Sequence, residues 1–206
     1  VSELDDLASV ARGCTRCPLA AGRTHVVFGE GDPSAGLMVV GEAPGRDEDL
    51  QGRPFVGRSG QLLDRLLAEE AGLRRDQVYI ANVVKCRPPA NRDPHPEEIE
   101  ACGPYLRGQV ELVRPAVVLT LGNFSTRLLL DTRDGITKLR GRTYPWGPVG
   151  DDGRPRAVLV PTFHPAAALR GGGEVLARMR ADFVRVKEVL AGGAAGAAAA
   201  GGGSPT

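Results

Sequence analysis

Lysine is nearly absent. Lys85, Lys138 and Lys187 are the three lysines among 26 basic residues, so 26 − 3 = 23 are arginine. Only Lys85 falls near a candidate site, which leaves little scope for chemistry through a lysine amine. No window approaches the roughly 18 consecutive apolar residues that a membrane-spanning helix needs, which excludes a spanning segment. The N-terminus reads Val1-Ser2-Glu3-Leu4-Asp5-Asp6, acidic where a secretory leader is basic. An initiator Met is also missing, as expected of a trimmed chain. Cysteine is scarce, with four residues, and without a leader the expected location is the reducing cytoplasm, where structural disulfides are rare. No charge excess exists either: 26 basic residues oppose 25 acidic ones, a net charge of +1. Near-neutrality does not exclude nucleic acid, because a basic face can sit opposite an acidic one. There is no internal repeat and no G-x-G-x-x-G dinucleotide fingerprint.

What is present fits one domain. The chain has 206 residues, 42% of them apolar, ample for a single hydrophobic core. The arginine excess reads either as codon bias on a solvated surface or as material for phosphate contacts, since guanidinium is planar and binds bidentately.

Local patterns give the order of elements. Ser2 and Asp5 form a capping box for a helix over about 3–11. His25–Phe28 reads as a strand. Leu37–Val40, Val78–Val84, Ala116–Leu121 and Ala157–Pro161 are apolar runs suited to strands buried on both faces. A long loop, 41–59, leads to a helix with Leu62, Leu63, Leu66 and Leu67 in one stripe. Pro96-Glu97-Glu98 starts a helix running to about Val113, with proline at its first position and acid in its first turn. A short helix covers 123–130, and 136–149 reads as strands and turns near an edge. A last helix spans about 174–190, and the Gly/Ala-rich tail 192–206 is expected to be disordered.

Strands alternating with helices predict an α/β fold, a three-layer α/β/α sandwich around a mainly parallel four-stranded sheet. In such folds ligands bind beyond the carboxyl ends of the strands. That rule gathers Glu42, Asn82, Gly122-Asn123 and His164 from distant parts of the sequence.

The cysteines are spaced as Cys14-x2-Cys17, then 68 residues, then Cys86-x15-Cys102. Four converging thiolates suit tetrahedral zinc or an iron–sulfur cluster. The second pair is too wide for a zinc-ribbon knuckle, yet spacing alone leaves both metals open. A redox pair at Cys14/Cys17 and four buried unligated cysteines are the remaining readings.

Gly41-Glu42-Ala43-Pro44-Gly45 offers glycines for close backbone approach and a carboxylate at a strand end. Gly52-Arg53-Pro54-Phe55-Val56-Gly57-Arg58-Ser59-Gly60 sets an aromatic among glycines and arginines before a helix. A helix start with flanking Arg58 suits phosphate, and an aromatic on a polar loop suits base stacking. Taken alone, Phe55 reads more readily as a core plug, and His164-Pro165 as a structural histidine.

In combination these motifs are more specific. Cys14-x2-Cys17, Gly41–Gly45, GRPFVGRSGQLL at 52–63, Asn82-Val-Val-Lys-Cys86-Arg-Pro-Pro, Cys102 and His164-Pro165 together resemble the family 4 uracil-DNA glycosylases over residues 10–190. The resemblance implies removal of uracil from DNA by a monofunctional enzyme that flips the base into a pocket. It implies catalytic roles for Glu42 and His164, and a uracil site built from Gly41, Ala43, Glu48, Phe55 and Asn82. Glu48 is the candidate for excluding the thymine methyl. Cys14, Cys17, Cys86 and Cys102 would hold a [4Fe-4S] cluster, structural rather than catalytic because hydrolysis transfers no electrons. Arg58, Arg87, Arg140, Arg142 and Arg170 are candidates for DNA backbone contacts, with Leu169 as a wedge beside the flipped base.

The implied partner is uracil-containing DNA, single- or double-stranded, bound by a monomer without a membrane, with a sliding clamp as a candidate protein partner. One departure touches a DNA contact: Ala166 follows His164-Pro165 where family members often carry Ser. A related branch binds uracil-DNA covalently through a histidine in an inserted basic loop. The 87–95 segment has no such insertion, though His95 lies there. A non-catalytic iron–sulfur or zinc module binding nucleic acid is the third reading.

Overall fold

The computed structural model describes residues 2–150, 153 and 155–200, with 193–200 described by backbone alone. Helices α1 (Glu3–Arg12) and α2 (Leu19–Gly22) precede strands β1 (Glu30–Gly31) and β2 (Leu37–Gly41). Helices α3 (Arg46–Gln51) and α4 (Arg58–Leu66) follow, then β3 (Tyr79–Asn82) and α5 (Pro96–Val113). The rest is β4 (Val117–Leu121), α6 (Asn123–Leu130), α7 (Ile136–Leu139), β5 (Tyr144–Val149), β6 (Pro155–Thr162) and α8 (Pro165–Ala200). Helix α8 is broken at Gly172, whose φ is 71°. Its backbone stays helical past 192, where the Gly/Ala tail begins, while 201–206 lie outside the described residues.

The sheet order is β1-β3-β2-β4-β6-β5. The four central strands run parallel, and they are the four apolar runs expected. The expected four-strand count is corrected to six, because β1 and β5 add antiparallel edges. A two-residue strand such as β1 carries no periodic signal of its own.

Alternation within each buried strand divides the core. Leu37 and Val39 of β2 join Leu119, Leu121 and Val160 under α4 and α8, which supply Leu62, Leu63, Leu66, Met179 and Phe183. Met38 and Val40 face the other way, toward Ala8, Ala11, Tyr105 and Leu106 of α1 and α5. The three-layer sandwich follows, since each face of the sheet needs its own helical cover.

Two further expectations are corrected. His25–Phe28 is not a strand: Val27 donates one backbone bond to Lys85 O at 2.8 Å, and Val27 and Phe28 are buried in irregular chain while His25 stays exposed. Apolar clustering reported burial there, not ladder pairing. The expected loop 41–59 contains α3, whose polar sequence RDEDLQ has no apolar stripe to betray it. The capping box of α1 forms as expected, with Ser2 Oγ accepting from Asp5 N at 3.2 Å and Ser2 N donating to Asp5 Oδ2 at 3.0 Å.

Candidate active site

The carboxyl ends of the parallel strands converge. Gly41 at the end of β2 stands opposite Asn82 at the end of β3. Pairing continues beyond the strands, with Val83 N donating to Gly41 O at 3.0 Å and Val84 N to Glu42 O at 3.1 Å. On the other side Gly122 N donates to Thr162 O at 2.8 Å, bringing the start of α6 beside His164. A cleft of about 790 Å³ opens there, lined by Glu42, Ala43, Glu48, Phe55, Asn82 and His164 among others. That size accommodates a nucleotide-sized ligand.

Asn82 is 1% exposed, and its Oδ1 has no hydrogen-bond partner among the described residues. An orphaned buried acceptor is costly in a folded protein unless a ligand completes it. Gly41 makes the arrangement possible: a Cβ there would lie 2.4 Å from Asn82 Oδ1 and 2.6 Å from the Phe55 ring.

Phe55 sits at φ 51°, a left-handed conformation that is strained for a bulky residue. Arg75 holds it there, donating to the carbonyls of Phe55 (3.2 Å) and Pro54 while pairing with Glu30 and Asp64. Gly60 is required beneath, because any Cβ would run into Phe55 O. The Phe55 and His164 rings are neighbours, with centroids 5.9 Å apart and planes inclined at 33°.

Glu48 lines the cleft, but its oxygens are occupied. Oε2 accepts from Gly45 N at 3.1 Å, and Oε1 accepts from Val56 N at 3.0 Å and Gly57 N at 3.3 Å. It thereby staples the Gly41–Gly45 turn to the Phe55 loop.

His164 accepts the Ala166 N–H at Nδ1, 3.2 Å away. Burial and then Arg170 lower its pKa to about 4, with Glu48 opposing. The ring is therefore neutral at pH 7, with its one proton on Nε2. Glu42 moves the opposite way, to about 7, through burial first and then the charge and hydrogen bond of Asp93. Asp93 is the residue that sequence reasoning missed. It sits in the irregular chain before α5, and only the fold brings it to Glu42. Both, with His164, also border an adjoining cavity that includes Asn123, Arg127 and Arg133.

The arginine candidates separate. Exposed Arg58 and Arg170 line the cleft, and Leu169 is 42% exposed beside Arg170. Arg87 is half-buried and donates through Nε to Asn91 Oδ1 at 2.7 Å, and Arg142 is exposed. Arg140 is corrected: it makes a bidentate pair with buried Asp182 at 2.9 and 2.6 Å and also binds Arg178 O. Its guanidinium is committed to joining α7 to α8. His95 is exposed, lies 3.4 Å from Glu97, and does not line the cleft.

Below the sheet, Cys14, Cys17, Cys86 and Cys102 wall one small cavity with Arg23, Lys85 and Tyr105. Among the described residues, no three His, Cys, Asp or Glu side chains gather around a single ion position. The sulfurs receive hydrogen bonds: Lys85 N donates to Cys102 Sγ at 3.2 Å and Arg23 Nη1 to Cys86 Sγ at 3.5 Å. Burial raises the Cys102 thiol to about 11 and pushes Cys86 up as well. Among the described residues no helix is long and apolar enough to cross a membrane.

The uracil DNA glycosylase superfamily model matches residues 28–190, which hold every strand and all the cleft-lining residues. The chain belongs to the uracil DNA glycosylase superfamily. Within it, the chain is 44% identical to the type-4 uracil-DNA glycosylase of Saccharolobus solfataricus over 195 residues, 93% of this chain and 88% of that protein. It is 42% identical to the type-4 enzyme of Sulfurisphaera tokodaii, covering 92% and 86%, and 48% identical to that of Thermotoga maritima, covering 81% and 83%. The superfamily match begins at Phe28 and so leaves out Cys14 and Cys17, whereas the first two relatives align well beyond it. The α/β sandwich and the strand-end cleft are thus those of a uracil DNA glycosylase superfamily member.

Proposed function

We propose that this chain is a monofunctional uracil-DNA glycosylase, acting as a cytoplasmic monomer on uracil-containing DNA. The observation that carries the reading is the orphaned Oδ1 of Asn82 in a cleft that also holds Phe55 and His164. The target nucleotide leaves the stack and enters that cleft. Phe55 packs on the base. Asn82 Oδ1 accepts from uracil N3–H while its amide N–H donates to O4; cytosine reverses both groups and is mismatched.

Breaking the N-glycosidic bond leaves positive charge on the sugar and negative charge on uracil. Neutral His164 donates Nε2–H to uracil O2, where that negative charge gathers. Ionised Glu42 stabilises the cationic sugar and orients a water toward C1′, and the Glu42–Asp93 pair accepts the water's proton. The products are an abasic site and uracil, whose N1 takes up the proton given by the water. No lysine amine attacks the sugar: Lys85 is buried, with Nζ held by Asn82 O and Gln109. Arg58 and Arg170 supply phosphate contacts at the rim and exposed Arg142 a further one, with Leu169 beside the vacated stack position.

The four cysteines fit a [4Fe-4S] cluster. Each iron of such a cluster takes one thiolate, so the ligands surround a volume, and N–H···S bonds like those from Lys85 and Arg23 stabilise the anionic sulfurs. Cys14 and Cys17 of the N-terminal segment, Cys86 after β3 and Cys102 on α5 would hold it and so be tied together, leaving the hydrolysis to the cleft residues.

The test is an end-labelled oligonucleotide with a single uracil, incubated with the protein and then treated with alkali. A strand break at uracil that needs both treatments is expected, with thymine and cytosine controls intact. An uncleaved strand would overturn the reading.

A further inference from the structure

Lys85 has no part in bond breaking, yet its side chain is among the largest wholly enclosed ones, at 1% exposure. Burying an ammonium is expensive unless its protons are satisfied. Here Nζ turns back to donate to Asn82 O at 2.7 Å, and across to Gln109 Oε1 on α5 at 2.5 Å. It also lies 5.8 Å from the centre of the Phe28 ring. Gln109 is itself fully buried and fixed, donating to Phe28 O at 2.8 Å and to Tyr79 Oη at 3.1 Å. The Lys85 main chain is held as well, through its N–H to Cys102 Sγ and its carbonyl to Val27 N.

Asn82 has no such fixing at its reading end, where Oδ1 is unpartnered among the described residues. The direction of its amide therefore depends on the backbone that carries it, and on the close approach of Gly41. We propose that Lys85 is a positioning residue, tying the Asn82 backbone to α5 and to the cysteine-walled cavity so that the Asn82 amide keeps its uracil-reading pose. The inference rests on the functional reading above and assigns the reading side chain its internal support.

The test is a double-mutant cycle between Lys85→Met, which keeps the stem and removes the donors, and Asn82→Ala. Single-turnover excision by Lys85→Met should fall by roughly 10-fold or more, but by less than about 2-fold when Asn82 is already Ala, since coupled residues are non-additive. Iron content and visible absorbance should match the parent. Equal falls in both backgrounds, an unchanged rate, or loss of the iron would each overturn the proposal. If Lys85→Met does not fold, Gln109→Met carries the same comparison, with the same outcomes. Hydrogen exchange read by mass spectrometry tests the tether without any excision. Peptides covering 82–86 should exchange faster in the variant while those from α4 do not, and unchanged exchange at 82–86 would refute it. A parent inactive on uracil would refute the functional reading, leaving the tether to be judged by this exchange result.

Discussion

The backbone N–H of Ala166 donates to Nδ1 of His164 at 3.2 Å, which leaves the single proton of the neutral imidazole on Nε2. The residue after Pro165 thus sets the tautomer through its main chain, so alanine at 166 serves as well as any residue but proline for this purpose. His164→Ala should lower single-turnover excision by about 100-fold or more, the scale of losing an oxyanion donor. Its melting temperature should stay near the parent's. Near-parental rates would remove His164 from the chemistry.

Asn82→Ala should reduce uracil excision by orders of magnitude and leave the fold intact, because it also removes the unsatisfied Oδ1. Single-turnover rates on uracil, with a calorimetric scan of the same sample, check both halves.

The pH profile should have one limb in the working range. Glu42, raised to about 7, must be ionised to stabilise a cationic sugar, so the rate climbs about tenfold per unit below that value and levels off above it. His164, lowered to about 4, remains neutral throughout and adds no limb above about pH 5. A rate that falls as pH rises through 7 contradicts the assignment. Asp93→Asn should move the limb to lower pH, since it removes a charge that holds Glu42 up.

Gly41→Ala drives a methyl group into Asn82 Oδ1 and the Phe55 ring. Excision should fall by at least about 10-fold with bound iron unchanged. A fully active Gly41→Ala would show that Asn82 and Phe55 do not need this spacing.

Purified protein should be brown, with broad absorbance near about 400 nm, and Cys102→Ser should lose that colour. Colourless protein with stoichiometric zinc would replace the cluster assignment.

Arg140→Ala should destabilise the fold by about 3 kcal/mol, because Asp182 would be left buried without its partner. Its DNA affinity should keep the parental salt dependence. Arg170→Ala should do the reverse, weakening binding and reducing the salt slope by about one while stability holds.

The four central strands, α5 and the α1 cap were legible because their signals are local. Apolar runs bounded by turns, proline at a first helical position and a Ser–Asp pair three apart each act within a few residues of chain. The strand-end rule then sufficed to put Glu42, Asn82 and His164 together. Side-chain direction was not legible. Glu48 lies beside the site, yet its oxygens staple backbone, and Arg140 looked like a surface cation until Asp182, 42 residues away, claimed it. Asp93 reaches Glu42 only through the path of irregular chain before α5, for which no periodicity exists. Local pattern alone marks the buried strands and the chemistry that stands at their ends. Which polar groups are already satisfied by protein, and which, like Asn82 Oδ1, are left for a ligand, follows from the fold, since hydrogen bonding between distant segments depends on three-dimensional placement.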